Sequence, residues 1–277
     1  MGDRERGVMG ALSKIEWTHH TFNPWWGCVK VSEGCKNCYA EAFAKRTGNK
    51  VWGPGSERRL FGDKHWAEPL KWNAAAEKAG KRHRVFCASM ADVFEDHPDV
   101  KDQRARLWTL IEKTPHLDWL LLTKRPQNIP SLLSESFGTR EPELPENVWL
   151  GCTVENNDEA RNRIPDLLEV PAAVHFVSAE PLLEMPDWVP TDIDWVIWGG
   201  ESGRRARPCA IEWLEVGVEA CRMTGAHPFV KQLGSVVVSE NRVDANGSWA
   251  WRAGLRDSKG GDWNEWPDHL RVREFPR

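Results

Sequence analysis

At 277 residues and 31.6 kDa the chain is long enough for one α/β barrel or two modest domains around a sizeable core. An apolar share of 40% against 28% charged residues, with 37 basic and 41 acidic side chains giving a net charge of −4, excludes a disordered tail protein and a strongly basic nucleic-acid coat. No apolar run reaches the roughly 18 residues a membrane span needs, and the polar opening Met1–Gly10 is unlike a signal peptide. The expected location is therefore the cytoplasm, with no membrane partner.

In chain order, residues 1–12 read as a flexible leader. A strand is expected near Ile15–Thr18, followed by a cysteine-bearing loop and a helix over Tyr39–Arg46. The segment Thr47–Lys64, TGNKVWGPGSERRLFGDK, is rich in Gly, Lys and Arg and suits a basic loop or flap, a candidate lid. Six short apolar runs come next: Arg84–Ser89, Leu117–Thr123, Asn147–Thr153, Val174–Ser178, Asp194–Gly199 and His227–Lys231. They are continuous where a half-exposed strand would alternate, which is the signature of strands buried on both faces of a parallel sheet.

Helices are expected over Val100–Lys113, Asp158–Glu169 and Ile211–Met223, with Asp99 and Asp158 where an N-cap or first-turn acid is favoured. Such a series of βα units predicts an α/β fold, a parallel (β/α) barrel, complete or partial, over residues 13–234. Residues 235–277 read as a Trp-rich extension packed on the barrel, with a hairpin signal at Asp244–Gly247 and with Trp263 and Trp266 in the tail.

Seven cysteines in a chain without an export signal argue for thiols or metal ligands over a disulfide framework. Cys28, Cys35 and Cys38 fall within eleven residues, and the last pair has the Cys-x-x-Cys spacing that places two sulfurs on one side of a turn. Gly27 and Gly34 directly precede two of them, where a tightly wrapped loop needs small residues. Two metals remain open. Zinc would take a fourth ligand, with His19 or His20 available, whereas a [4Fe–4S] cluster on three thiolates would keep one iron free. Cys87 and Cys152, within strands, are expected to pack the core, and Cys221 to lie on a helix away from the metal.

Barrel enzymes carry function at the C-terminal ends of their strands. The polar groups there are Ser89 and Asp92; Thr123, Lys124 and Arg125; Glu155 and Asn156; Ser178 and Glu180; Gly199, Gly200 and Glu201; and Lys231 with Gln232. Arg204, Arg205 and Arg207 add cations able to receive phosphate or carboxylate groups. Glu180 and Glu201 could form a hydrolase's carboxylate pair. Lys231 could serve as a base or a Schiff-base amine, or form an ion pair with Glu180 or Glu201.

The three cysteines ahead of a βα series resemble the radical S-adenosylmethionine (SAM) superfamily. LLLTKRP, GCTVENNDEARNRIP and FVSAEPLL are similar to its spore photoproduct lyase branch. GCVKVSEGCKNCYAE, LTKRP, SAEPLL, GGESG and DWNEWPDHLRVREFP together resemble a three-cysteine-motif family found in phages and bacteria, mostly of unassigned activity. That likeness runs from Ser13 nearly to the end of the chain. Its spacing differs from the superfamily's, being Cys-x6-Cys-x2-Cys in place of Cys-x3-Cys-x2-Cys, with Tyr39 after the last cysteine instead of an aromatic before it.

The resemblance implies a [4Fe–4S] cluster on Cys28, Cys35 and Cys38, SAM as cofactor, and an electron donor such as a flavodoxin or ferredoxin. It places Ser89 and Asp92 at the SAM amino group and Glu155, Asn156 and Arg163 at its ribose and carboxylate. Tyr39, Thr123, Lys124 and Glu180 are further candidates beside the cofactors, and Glu201 and Lys231 are candidate catalytic groups. The implied substrate is a small molecule, with a nucleobase or nucleotide preferred. The alternative is a non-catalytic barrel, stabilised by zinc or a cluster, that binds nucleic acid or a protein partner.

Overall fold

The computed structural model describes residues 13–139, 143–241 and 254–276. Seven parallel strands form a single sheet in which spatial order equals chain order: β1 (His20–Thr21), β2 (His83–Cys87), β3 (Leu117–Thr123), β4 (Val148–Thr153), β5 (Val174–Ala179), β6 (Trp195–Gly199) and β7 (His227–Gln232). Every neighbouring pair is parallel, as in Leu121 opposite Leu150 and Val177 opposite Val196. β1 and β7 do not pair, so the sheet curls into a partial barrel.

Helices α1 (Tyr39–Arg46), α2 (Glu68–Ala79), α3 (Lys101–Glu112), α4 (Ile129–Phe137), α5 (Asn157–Leu168) and α6 (Ile211–Thr224) lie in the crossovers, except that between β5 and β6, which has no helix. Five of the six predicted apolar runs match strands to within one residue at each end, because strands covered on both faces leave no polar position to blur the pattern. Arg84–Ser89 ends two residues early, at Cys87. The first strand also differs: Ile15–Thr18 is a turn, and pairing begins at His20, where only two residues meet β2. Asp158 stands in the first turn of α5 as expected, and Asn156 caps the helix, its side chain accepting from the Glu159 amide at 2.9 Å.

Alternation along the strands divides the core. On the helix side Trp119, Leu121, Leu150, Val196, Trp198 and Val230 pack against Leu107, Ile111 and Leu214. On the inner side Phe86, Leu120, Trp149, Phe176, Trp195 and Phe229 form an aromatic floor joined by Trp17. As predicted, Cys87 and Cys152 are buried in strands, and Cys221 is buried on α6.

The end of the chain completes this floor. Val230 donates to the Val272 carbonyl at 2.9 Å and Glu274 to Pro228 at 3.0 Å, which lines the free edge of β7 with an antiparallel tail. Phe275 lies against Trp195 and Phe229, and the Arg84 guanidinium from β2 sits 3.8 Å over its ring. The tail thus touches the second and the last strand of the unclosed barrel. Trp266 is buried beneath it, as expected of the Trp-rich extension. The expected leader 1–12 and the hairpin at Asp244–Gly247 lie outside the described residues.

The basic segment is no free flap. Arg59–Leu60 pairs antiparallel with Trp25–Trp26, and the fully buried Arg58 side chain is ion-paired to Glu95 at 2.9 Å. Arg58 also donates to the carbonyls of Val51 and Ser56, and its amide to Asp99. A buried guanidinium bound to Glu95, Val51 and Ser56 anchors the segment and corrects the expectation of a lid, leaving that of a basic loop. Among the described residues no helix is long and apolar enough to cross a membrane.

Candidate functional site

The loop Gly27–Cys38 lies across the C-terminal ends of the strands, and its own atoms tie it there. Arg125, after β3, donates to the Val29 carbonyl at 2.7 Å and points Nη1 at the Cys28 sulfur at 3.6 Å. Glu155, after β4 and fully buried, accepts from the Ser32 hydroxyl and from the Gly34 amide at 3.0 Å. Asn37 donates to Glu201, after β6, at 3.1 Å, and Arg207 donates to the Glu33 carbonyl. Tyr39, opening α1, donates to the Ser89 carbonyl after β2 at 2.9 Å.

Two glycines make this approach feasible. A Cβ on Gly34 would lie 2.7 Å from the Glu155 carboxyl carbon, and Gly27, at φ +123°, has Val51 O where a side chain would stand. The glycines before the cysteines are needed as expected, although they make room for the scaffold.

The thiols are poised differently. Burial pushes the Cys28 thiol up to about 12, with Asp92 adding to the rise and Arg125 opposing it. Burial also raises Cys38, while amide hydrogen bonds from Glu41 and Ala40 at the start of α1 pull it back in part. Cys35 lies 3.8 Å from the Ser32 hydroxyl. The amides of Ala40 and Glu41 offset only part of the burial penalty on the Cys38 thiolate, and the net shift favours the thiol.

Among the described residues no three His, Cys, Asp or Glu side chains form a group placed to hold a metal ion. A single zinc requires such convergence on one point, whereas a cluster takes each thiolate on a different iron and needs sulfurs set around a space. His19 and His20 are committed elsewhere: His19 accepts from the Arg84 amide, and His20 is hydrogen-bonded to His83 at 3.1 Å and stacked on Trp72. They are not a fourth ligand for the cysteines.

The other predicted site residues are largely engaged with one another. Asp92 takes the Thr123 hydroxyl at 2.6 Å, the Arg125 guanidinium at 2.7 Å and the amides of Phe94 and Lys124. Glu155 also accepts from Arg163 at 2.8 Å, while Arg163 reaches the Thr153 carbonyl and Glu159. Burial would raise the Glu155 pKa, but the Lys124 and Arg163 charges and the bonds from Ser32 and Gly34 hold it below the ordinary range. Lys124 is half-buried and forms no ion pair among the described residues.

Glu201 is buried and clamped by Arg207 through Nε at 2.9 Å and Nη2 at 2.8 Å; burial opposes ionisation, yet these bonds lower its pKa. Lys231 is paired with Glu180 at 3.0 Å, the ion pair foreseen for it. Glu180 and Glu201 each face their own cation, which speaks against a hydrolase's carboxylate pair. Asn156 serves as the cap of α5. Ser32, Asn37, Glu95 and Arg58 are the site-building residues that sequence reasoning missed. Ser32 and Asn37 bond to residues 123 and 164 positions away, and no local pattern marks such contacts.

Fold and site together define a partial parallel (β/α) barrel with a three-cysteine loop tied across its C-terminal end. The chain belongs to the DUF5131 family of proteins of unknown function, whose profile matches residues 12–267. No curated protein and no solved structure matches it.

Proposed function

We propose that this protein is a radical SAM-type enzyme with a [4Fe–4S] cluster on Cys28, Cys35 and Cys38. The carrying observation is the lashing of the three-cysteine loop to groups following β2, β3, β4 and β6, the face where barrel enzymes act. When bound, the cluster supplies the electron that cleaves SAM to methionine and a 5′-deoxyadenosyl radical, which takes hydrogen from a substrate.

The chain's own residues orient and enclose. Arg125 holds the Cys28 arm and offsets negative charge at its sulfur. Glu155 fixes the middle of the loop through Ser32 and Gly34, and the clamped Glu201–Arg207 pair fixes its far side through Asn37 and Glu33. Lys124, whose charge acts on Glu155 but which forms no ion pair among the described residues, is the cation available for a ligand's carboxylate. Lys231 offers its Nζ to a ligand that displaces Glu180. A nucleobase or nucleotide is the favoured substrate, and a flavodoxin or ferredoxin the electron donor.

Anaerobic reconstitution followed by iron, sulfide and zinc analysis tests the reading, with electron paramagnetic resonance of the reduced protein with and without SAM. About four irons per chain and a signal altered by SAM are expected. Alanine at any of the three loop cysteines should lower the iron content, and Cys221→Ala should not. Stoichiometric zinc without iron would support the non-catalytic alternative.

A further inference from the structure

Outside the mouth the same layer carries an unusual surface. Between Trp26 and Lys64 eight Lys and Arg stand against four Asp and Glu, in a chain whose net charge is −4. Of those acids, Glu41 is already matched by Lys30 and Lys45, and Asp63 by Arg106. Arg46, Lys50 and Arg59 are exposed and have no carboxylate partner among the described residues.

Aromatic rings lie between these cations. Arg46 sits 5.3 Å over Phe43, whose ring meets Trp26 edge-on at 5.7 Å, and Arg59 lies 4.6 Å over Trp26. Arg59 also donates to Asn49, next to Lys50, so the three cations and two rings form one continuous patch. Phe43 is 37% exposed, and Tyr39, one turn earlier on α1, is 60% exposed. Large apolar surface left in water beside unpaired charge marks a binding face.

We propose that this patch binds single-stranded nucleic acid, the phosphates meeting Arg46, Lys50 and Arg59 and a base stacking on Phe43 or Tyr39. Rings interleaved with cations suit that ligand because each base offers a flat apolar face one phosphate away from the next. An acidic protein would satisfy the charges, but it leaves the alternation of ring and guanidinium without a purpose. α1 begins immediately after Cys38, so a strand bound here runs past the cysteine loop toward the mouth. The inference extends the proposed function by naming the substrate class.

The test is fluorescence anisotropy of the full chain with a labelled oligothymidylate of about 12 nucleotides, across a salt series. Neutralising two phosphate contacts with Arg46→Gln and Arg59→Gln should weaken binding at least about tenfold and flatten the log–log salt slope by about 1.4. Phe43→Ala should weaken it by about tenfold with the slope unchanged. Arg46→Gln with Lys50→Gln, both at exposed positions, replaces the first pair if Arg59→Gln fails to fold.

Absence of oligonucleotide binding, or binding indifferent to these variants, would overturn the inference. So would a patch that captures an acidic flavodoxin but no oligonucleotide. Binding is read on metal-free and iron-loaded protein alike. Iron without oligonucleotide binding therefore sinks this inference alone, and binding without iron sinks the cluster reading alone.

Discussion

Gly34 shows how narrowly the loop is seated, because its Cα faces a buried carboxylate that accepts its own amide. Gly34→Ala must push the loop or Glu155 aside, so a stability loss of about 1–3 kcal/mol by denaturant unfolding is expected, with less iron taken up. Arg125→Met should lower iron content more than Arg125→Lys does, since Lys keeps a charge but cannot span Cys28, Val29 and Asp92 together.

At the opposite side of β2, burial lowers His19 and His20 to about 4, assisted by the charge of Arg84 for His19 and of His83 for His20. Unfolded histidines titrate near 6.5, so the unfolded chain binds more protons between these values. Thermal stability should therefore hold at neutral pH and fall as pH drops from 6.5 toward 4. His20→Gln should flatten that dependence in a melting series.

Elements were legible wherever burial is uniform. β3 and β4 are continuous apolar runs because both faces are covered, and α1 and α6 show at their expected positions. β1 was not legible, since a two-residue strand led by His20 carries no run to read, while the nearby apolar Trp17 serves the inner floor instead. The strand tips located the site's residues, but their pairing was hidden: Asp92 with Arg125, Glu155 with Gly34 and Glu201 with Asn37 are all long-range choices.

The basic segment is the clearest case of such concealment. Its Gly and Arg content suggests mobility, whereas Arg58 is its anchor. Arg58→Met leaves buried Glu95 with one ion pair among the described residues, to Arg125 at 3.8 Å. A cost of about 3–5 kcal/mol is expected, together with new proteolytic cleavage within residues 47–57.

At the scale of the molecule, the incomplete barrel shares its interior between an aromatic floor and a polar mouth. The floor takes its last ring from the tail, so Phe275→Ala should cost about 2–4 kcal/mol by denaturant unfolding and leave metal uptake at the far end unchanged. A loss of iron in that variant would show that floor and mouth are not independent.

The tail also sets a timetable for synthesis. Because the strands pair in the order in which they are translated, each one leaving the ribosome finds its neighbour already made. Trp195 and Phe229 nevertheless wait uncovered until residues 272–275 emerge. A stalled or shortened chain ending before them would present a sticky aromatic surface and the bare edge of β7, and such fragments should be recovered with chaperones or in inclusion bodies.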